Sequence, residues 1–167
     1  LNAVEVGKQV AIMVPTEILS KQHYQWIQSI LEGCDVKVEL LIGSVKGRKR
    51  THILESLTTG QIDIVIGTHA LFQETVQFQN LGLVVIDEQH RFGVKQRFSL
   101  AKKGNSVDML LMTATPIPRT LTLAVYGDMD ISVLKEKPKG RRRIDTRMVP
   151  LEKRLQVMDG IKRALDK

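Results

Sequence analysis

The sequence has few aromatic residues, one cysteine and no long apolar run, and each of these scarcities excludes a class of protein. Aromatic residues make up 4% of the 167 positions, which argues against a platform that stacks the bases of single-stranded nucleic acid. Cys34 has no cysteine partner, which excludes an internal disulfide and a cysteine-based zinc site and indicates a reducing compartment. The four histidines show no metal-ligand spacing. With no apolar run long enough to span a bilayer and no signal-peptide pattern, we expect a cytoplasmic protein without a membrane partner.

Positive charge is in excess and narrows the choice of partner. Lys and Arg number 25 against 18 Asp and Glu, which gives a formal net charge of +7. Such a charge favours an anionic partner, either nucleic acid or a phosphate-rich ligand. A basic, merely solvated surface explains the charge equally well, so composition alone leaves both interpretations open.

Short apolar segments that are continuous rather than alternating recur along the chain, as in strands buried on both faces of a parallel sheet. The five predicted strands are Gln9–Val14, Val36–Ile42, Ile62–Ile66, Leu83–Ile86 and Met109–Met112. Helices are predicted at Glu17–Leu31, Lys46–Leu57 and Arg119–Tyr126. Strands that alternate with helices indicate an α/β doubly wound sheet, in which functional residues lie at the carboxyl ends of the strands.

Two of these helices have recognisable signals at their ends. Thr16 is a suitable N-cap for the first helix, and Gly33 is expected to end it. In the second helix an apolar face is expected, opposite exposed basic residues, and Gly60 follows as a stop. The apolar residues at helical spacing are Leu19, Trp26, Ile27, Ile30 and Leu31 in the first helix, and Ile53, Leu54 and Leu57 in the second; the exposed basic residues are Arg48, Lys49 and Arg50.

The last 40 residues have a different character. Residues 135–143 are basic, contain proline and glycine and lack apolar residues, so we interpret them as a linker. Residues 147–149 are predicted to form a strand and Glu152–Leu165 a helix. The expected organisation is therefore a domain over 1–134, a linker over 135–143, and the start of a further domain over 144–167.

The sharpest local signal is a pair of carboxylates, Asp87 and Glu88, directly after an apolar strand. Carboxylates at the end of a buried strand need a cation or hydrogen-bond donors to offset their desolvation. We predict that Asp87 binds a nucleotide-associated Mg²⁺ and that Glu88 acts as the general base. Gln89 and His90 could sense a γ-phosphate. The alternative is an aspartate that caps the next turn beside a solvated glutamate.

Three other strand ends carry polar residues. Pro15-Thr16 and Gly67-Thr68 follow two strands at positions where backbone N–H groups can hold phosphates, and together they predict a surface that tracks a nucleic-acid backbone. The basic run at 46–50 could extend it. Thr113-Ala114-Thr115 follows a further strand, and its hydroxyls could hydrogen-bond to Asp87 or His90. Each segment taken singly could also be an ordinary strand-to-helix turn.

Together these segments resemble the motifs of superfamily 2 helicases. Residues 15–19 (Pro-Thr-Glu-Ile-Leu) resemble motif Ia and residues 67–69 (Gly-Thr-His) resemble motif Ib. Residues 87–90 (Asp-Glu-Gln-His) resemble motif II, and residues 113–115 (Thr-Ala-Thr) resemble motif III. The longer strings over 67–73, 87–94 and 113–120 are similar to the RecG family of bacterial DNA helicases, and the similarity covers nearly the whole chain.

This resemblance implies a RecA-like, P-loop NTPase fold and a motor that uses ATP and Mg²⁺ to remodel branched duplex DNA at stalled forks and Holliday junctions. It places Pro15, Thr16, Gly67 and Thr68 near the DNA backbone, Asp87 and Glu88 on Mg–ATP, and Thr113 to Thr115 in coupling hydrolysis to movement. One alternative is the transcription-repair coupling factor, which typically has an acidic residue where this chain has Gln89. Another is a non-catalytic nucleic-acid-binding module.

One departure from the family pattern concerns the phosphate-binding loop. The Walker A pattern, Gly-x-x-x-x-Gly-Lys-Ser/Thr, is absent, since Gly7-Lys8 lacks the glycine-rich loop and the following hydroxyl residue. We therefore expect a fragment whose fold is truncated at its N-terminus. The Walker A segment, a wedge domain and a second motor domain would come from the rest of the same polypeptide, and the fragment alone is expected to be inactive.

Overall fold

The computed structural model describes residues 1–88, 91–93, 99–115, 130–136, 140, 144, 146 and 148–165. The chain divides into two compact units, Leu1–Pro118 and Arg119–Lys167. None of the helices within the described ranges has both the length and the apolar character needed to cross a bilayer. The predicted division into a domain, a linker and the start of a second domain stays a prediction.

The first unit contains a parallel sheet of five strands in the order β2-β3-β1-β4-β5. The strands are β1 (Gln9–Met13), β2 (Val38–Leu41), β3 (Ile64–Gly67), β4 (Leu81–Ile86) and β5 (Asp108–Leu111). All five predicted strands are present, with ends that differ by one or two residues. The predicted α/β fold class is confirmed.

Two of the predicted helices connect strands, one from β1 to β2 and one from β2 to β3. The helical segments among the described residues include α1 (Asn2–Glu5), α2 (Glu17–Ile30), α3 (Gly47–Thr58), a 3₁₀ turn at His69–Phe72, a second 3₁₀ turn at Leu151–Lys153, and α4 (Arg154–Leu165) in the second unit. Residues 148–149 have no regular secondary structure, so the strand predicted at 147–149 is wrong at these two positions. Residue 147 lies outside the described residues. The predicted helix Arg119–Tyr126 also lies outside them.

Each face of the sheet has its own apolar core. On one face, Ile53 and Leu57 of α3 pack with the alternate strand residues Met13, Val65 and Val84. Of the three predicted positions, Ile53 and Leu57 are fully buried, at 1% and 0% exposure, and Leu54 is partly buried. On the other face, Leu31 at the end of α2 packs with strand residues such as Ile64 and Ile66. Burial on both faces explains why the central strands β1, β3 and β4 are largely apolar.

The buried stripe of α2 differs from the predicted one. Trp26 and Ile30 are 62% and 55% exposed, whereas Ser20 is fully buried and Leu31 is 7% exposed. Ile27 is partly buried against the same core as Leu31. Ser20, Ile27 and Leu31 follow the 3.6-residue period, and Trp26 lies about 100° around the helix from Ile27. Apolar character therefore identifies the buried face of α2 only in part, because that face includes a serine whose Oγ donates to Thr16 O at 3.0 Å.

The amino end of β1 is fixed by a buried amide. The Nε2 atom of Gln9 donates to Leu57 O at 2.9 Å and to Ile62 O at 2.8 Å, and its Oε1 accepts from Asn80 N at 2.9 Å. These three bonds satisfy a side chain that is only 4% exposed. Gln9 therefore joins the segments that lead into β3 and β4 at the edge opposite the predicted site.

Candidate functional site

Backbone hydrogen bonds continue the sheet beyond the carboxyl ends of its strands. Val14 N donates to Gly67 O at 3.0 Å, Asp87 N to Met13 O at 2.9 Å and Met112 N to Ile86 O at 2.8 Å. The segments that follow β3, β1, β4 and β5 therefore emerge side by side in that order. The four predicted site segments do lie along one edge of the sheet, as the parallel arrangement requires.

Asp87 and Glu88 lie at the centre of this edge. The Oδ1 atom of Asp87 accepts from Glu88 N at 2.9 Å, and its side chain is 25% exposed. Glu88 adopts a φ of +51°, and one of its carboxylate oxygens is buried. A left-handed backbone at a residue other than glycine or asparagine costs about 1 kcal/mol or more and is enriched at functional sites. The turn at Glu88 therefore fixes the direction in which its carboxylate leaves the strand.

A histidine from α2 faces this carboxylate pair. The Nε2 atom of His23 lies 3.5 Å from Asp87 Oδ2, and both side chains are about a quarter exposed. His23 was not among the predicted site residues. A signal for it exists in the sequence, because His23 follows Thr16 by seven residues and thus lies on the same face of the helix, two turns further on.

Thr16 has the predicted role at the start of α2. Its hydroxyl accepts from Leu19 N at 3.2 Å, which satisfies one of the free N–H groups of the first turn. A cavity of about 420 Å³ opens beside it and is lined by Pro15, Thr16, Leu19, Glu88, Arg91 and Phe92. The structure thus joins the predicted backbone-binding segment at 15–16 to the predicted general base in one cavity.

Gly67 and Thr68 end β3 in a tightly packed position. A Cβ atom at Gly67 would lie 2.2 Å from Leu41 O, so only glycine fits there. Thr68 is 2% exposed, and its hydroxyl has no hydrogen-bond partner among the described residues. Its hydroxyl would have to be uncovered before it could contact a nucleic-acid backbone.

The loop after β2 also reaches this edge and was not predicted as part of the site. Glu17 Oε1 accepts from Ser44 N at 3.1 Å, and its Oε2 accepts from Ser44 Oγ at 2.9 Å. The loop leads into α3, where Arg48 and Lys49 are exposed as predicted and Arg50 is partly buried. The start of α2 therefore holds the loop from which the basic residues of α3 extend.

The threonines after β5 bond to each other. Thr113 Oγ1 lies 3.0 Å from Thr115 Oγ1 and accepts from Thr115 N at 3.2 Å, while Ala114 is exposed. Among the described residues these hydroxyls bond within their own turn, as threonine hydroxyls readily do. The expected hydrogen bond to Asp87 or His90 stays a prediction. Gln89 and His90 lie outside the described residues.

The carboxylates suit a nucleotide-bound Mg²⁺ better than a metal held by protein alone. No group of three or more His, Cys, Asp and Glu side chains able to hold a metal occurs in the described ranges. Mg²⁺ in nucleotide sites takes only one or two carboxylates, and phosphates and water complete its shell. Asp87, whose side chain is 25% exposed at the end of β4, fits that requirement.

Comparison with known proteins agrees with this geometry. The family model for DEAD/DEAH box helicases matches residues 1–124. ATP-dependent DNA helicase RecG from Bacillus subtilis is 56% identical over 144 residues, which cover 86% of this chain and 21% of that protein. RecG from Thermotoga maritima is 50% identical over 162 residues, which cover 97% of this chain and 21% of the relative.

A solved structure of RecG bound to a three-way DNA junction superposes with a TM-score of 0.76 at 48% identity, and covers 93% of this chain and 21% of that one. The chain thus spans about a fifth of the length of the relatives it matches. The sequence-based recognition and the RecA-like fold are confirmed. This chain belongs to the DEAD/DEAH box helicase family and, over nearly its whole length, is similar to RecG.

Proposed function

We propose that this chain is part of the ATP-driven motor of a longer DNA helicase that remodels branched duplex DNA, at stalled forks and Holliday junctions, in recombination and repair in the cytoplasm. The observation that carries the proposal is the single cavity in which Thr16 and Pro15 meet Glu88. Because the predicted general base and the predicted backbone-binding helix start line the same cavity, DNA bound at the helix start would lie near the attacking water. The RecG structure with a three-way junction supports the choice of DNA.

On the nucleotide side, Asp87 would hold Mg²⁺ and Glu88 would orient and deprotonate the attacking water. The bound Mg²⁺ would neutralise negative charge on the transferred phosphoryl group. Asp87 receives a hydrogen bond from Glu88 N, which fixes one of its oxygens while the other stays directed toward His23. The same proposal includes two further roles. Gln89 and His90 would sense the γ-phosphate, and residues 113–115 (Thr113, Ala114 and Thr115) would couple hydrolysis to movement.

On the DNA side, two segments would lie along one phosphate backbone. They are Pro15 and Thr16 at the start of α2, and Gly67 and Thr68 at the end of β3. Backbone N–H groups and helix starts bind phosphates without reading sequence, which suits a motor that moves along DNA. The net charge of +7 supports binding to a polyanion. Binding through phosphates should weaken steeply as salt is raised.

The site within this chain is half of a nucleotide site, because the sequence has no Walker A pattern to cradle the phosphates. We therefore propose that the Walker A segment, a wedge domain and a second motor domain are supplied by the rest of the polypeptide, and that the chain alone does not hydrolyse ATP. The second candidate is the transcription-repair coupling factor, and Gln89 in place of an acidic residue disfavours it. The third is a non-catalytic DNA-binding module.

Strand release from a labelled three-way junction tests the proposal. The full-length protein should separate the junction with ATP and Mg²⁺ and leave it intact with ADP. A full-length protein that binds the junction but consumes no ATP would support the non-catalytic module instead. Displacement of a stalled RNA polymerase without junction unwinding would support the coupling factor.

A further inference from the structure

The predicted DNA-contacting and ATP-hydrolysing segments leave strands that are not neighbours. Thr68 follows β3 and Glu88 follows β4, and β1 lies between these strands. Adjacent strands are about 4.8 Å apart, so the two strand ends are separated by roughly 10 Å. A direct link between the two segments must therefore form beyond the sheet.

Such a link exists between two phenylalanines. The rings of Phe72 and Phe92 have centroids 6.0 Å apart and an interplanar angle of 69°, an edge-to-face contact. Phe72 ends the 3₁₀ turn that begins at His69, directly after Thr68. Phe92 lines the cavity that Glu88 also lines.

Each ring is tied closely to its own strand end. Leu71 N donates to Thr68 O at 3.0 Å, so the turn that carries Phe72 starts at the threonine. Arg91 N donates to Glu88 O at 2.9 Å, so the turn that carries Phe92 starts at the glutamate. A shift at either strand end would therefore change the ring contact.

The chain just after Phe72 is held firmly. Lys103 Nζ donates to Gln73 O at 2.7 Å and to Val76 O at 2.8 Å, and Arg50 Nη2 donates to Gln73 Oε1 at 2.6 Å. Burial lowers the pKa of Lys103, while the charge of Glu74 opposes that shift. These charge-assisted bonds anchor the downstream end of the turn. With the residues after Phe72 held in place, a shift at Thr68 would act on the turn that carries the ring of Phe72.

We propose that the edge-to-face contact between Phe72 and Phe92 couples DNA contact at the end of β3 to water activation at Glu88. The inference rests on the proposed function. In this proposal Phe72 and Phe92 are positioning residues, which act through Thr68 and Glu88. An aromatic pair contributes a coupling worth about a two- to tenfold change in equilibrium, which sets the size of the expected effect.

The test measures how much a forked DNA stimulates ATP turnover by the full-length protein. Phe72→Leu keeps an apolar side chain but removes the ring, so the ratio of DNA-stimulated to basal turnover should fall about two- to tenfold. Basal turnover should stay within about twofold of wild type, because Phe72 lies outside the cavity that Glu88 lines. Phe92→Leu, made as a separate variant, should lower the same ratio. It provides the test if Phe72→Leu does not fold.

A double-mutant cycle separates coupling from general loosening of the core. The variant with both substitutions should have a stimulation ratio no lower than that of the more affected single variant. Phe78→Leu is the matched control, because Phe78 packs on the same core without a ring contact among the described residues; its ratio should equal that of wild type.

Several results would overturn the inference. One is an unchanged ratio in both single variants, and another is a double variant whose loss is the product of the two single losses. A parallel fall of basal and stimulated turnover would show that the rings only support the fold. A wild-type protein that DNA does not stimulate would overturn the proposed function itself, and this inference with it.

Discussion

Replacing Gln9 by methionine should destabilise the first unit far more than an ordinary polar substitution. Methionine keeps the length of the side chain but makes none of the three hydrogen bonds of the Gln9 amide. Leu57 O would keep Gly60 N at 3.3 Å and Gln79 N at 3.2 Å as donors. Ile62 O and Asn80 N would lose their partner, and no other described side-chain bond replaces it.

The size of the effect follows from these two groups. A buried polar group without a partner costs about 1–3 kcal/mol, and methionine regains part of this through apolar contact, so we expect a loss of about 3 kcal/mol. Urea unfolding followed by circular dichroism measures it, and with a slope of about 2 kcal/mol/M the midpoint should fall by about 1.5 M.

The matched control is Gln28→Met. Gln28 is exposed, and its Nε2 donates to Tyr24 Oη at 2.8 Å, so this substitution should change the stability by no more than about 0.5 kcal/mol. If Gln9→Met lowered the free energy of unfolding by less than about 1 kcal/mol, or by no more than the control, the hydrogen bonds of the Gln9 amide would not stabilise the first unit.

Three further predictions concern the carboxyl edge of the sheet. Thr16→Ala should lower stability by about 1 kcal/mol in the same unfolding assay, since it removes the cap of α2, whereas Thr16→Ser should retain it; equal losses would refute the cap. Gly67→Ala should lower the free energy of unfolding by more than about 3 kcal/mol, because its Cβ would lie 2.2 Å from Leu41 O. Gly160→Ala in α4 has open space around it and should raise the free energy of unfolding by up to about 1 kcal/mol. His23→Ala should raise the Mg²⁺ concentration for half-maximal ATP turnover of the full-length protein by up to about tenfold, because it removes a neighbour of Asp87; an unchanged Mg²⁺ dependence at lowered turnover would contradict that role.

The sequence predicts the sheet well because its central strands β1, β3 and β4 are covered on both faces. A continuous apolar run such as residues 84–86, followed by polar residues, is typical of a strand that is covered on both sides. Parallel pairing then brings Pro15, Gly67, Asp87 and Thr113 to one edge. The N-cap at Thr16 was equally predictable, since capping depends on residues close in sequence.

What the sequence does not predict depends on contacts between distant segments. The exposure of Trp26 and the burial of Ser20 depend on which side of α2 meets the sheet, and hydrophobicity indicates that side only in part, since Ile27 and Leu31 pack against the core. The contacts of His23 with Asp87 and of Glu17 with Ser44 join residues 64 and 27 positions apart. No local pattern specifies such pairs, although the helical spacing of Thr16 and His23 hints at the first.

The central claim is that Asp87 and Glu88 form the Mg²⁺-binding and water-activating half of an ATP site, and the direct test is Glu88→Gln in the full-length protein. Glutamine has nearly the same shape but cannot accept the proton of the attacking water. Binding of a fluorescent ATP analogue with Mg²⁺ should stay within about threefold of wild type, while ATP turnover on forked DNA should fall by about 10²-fold or more. Turnover close to that of wild type would contradict the account.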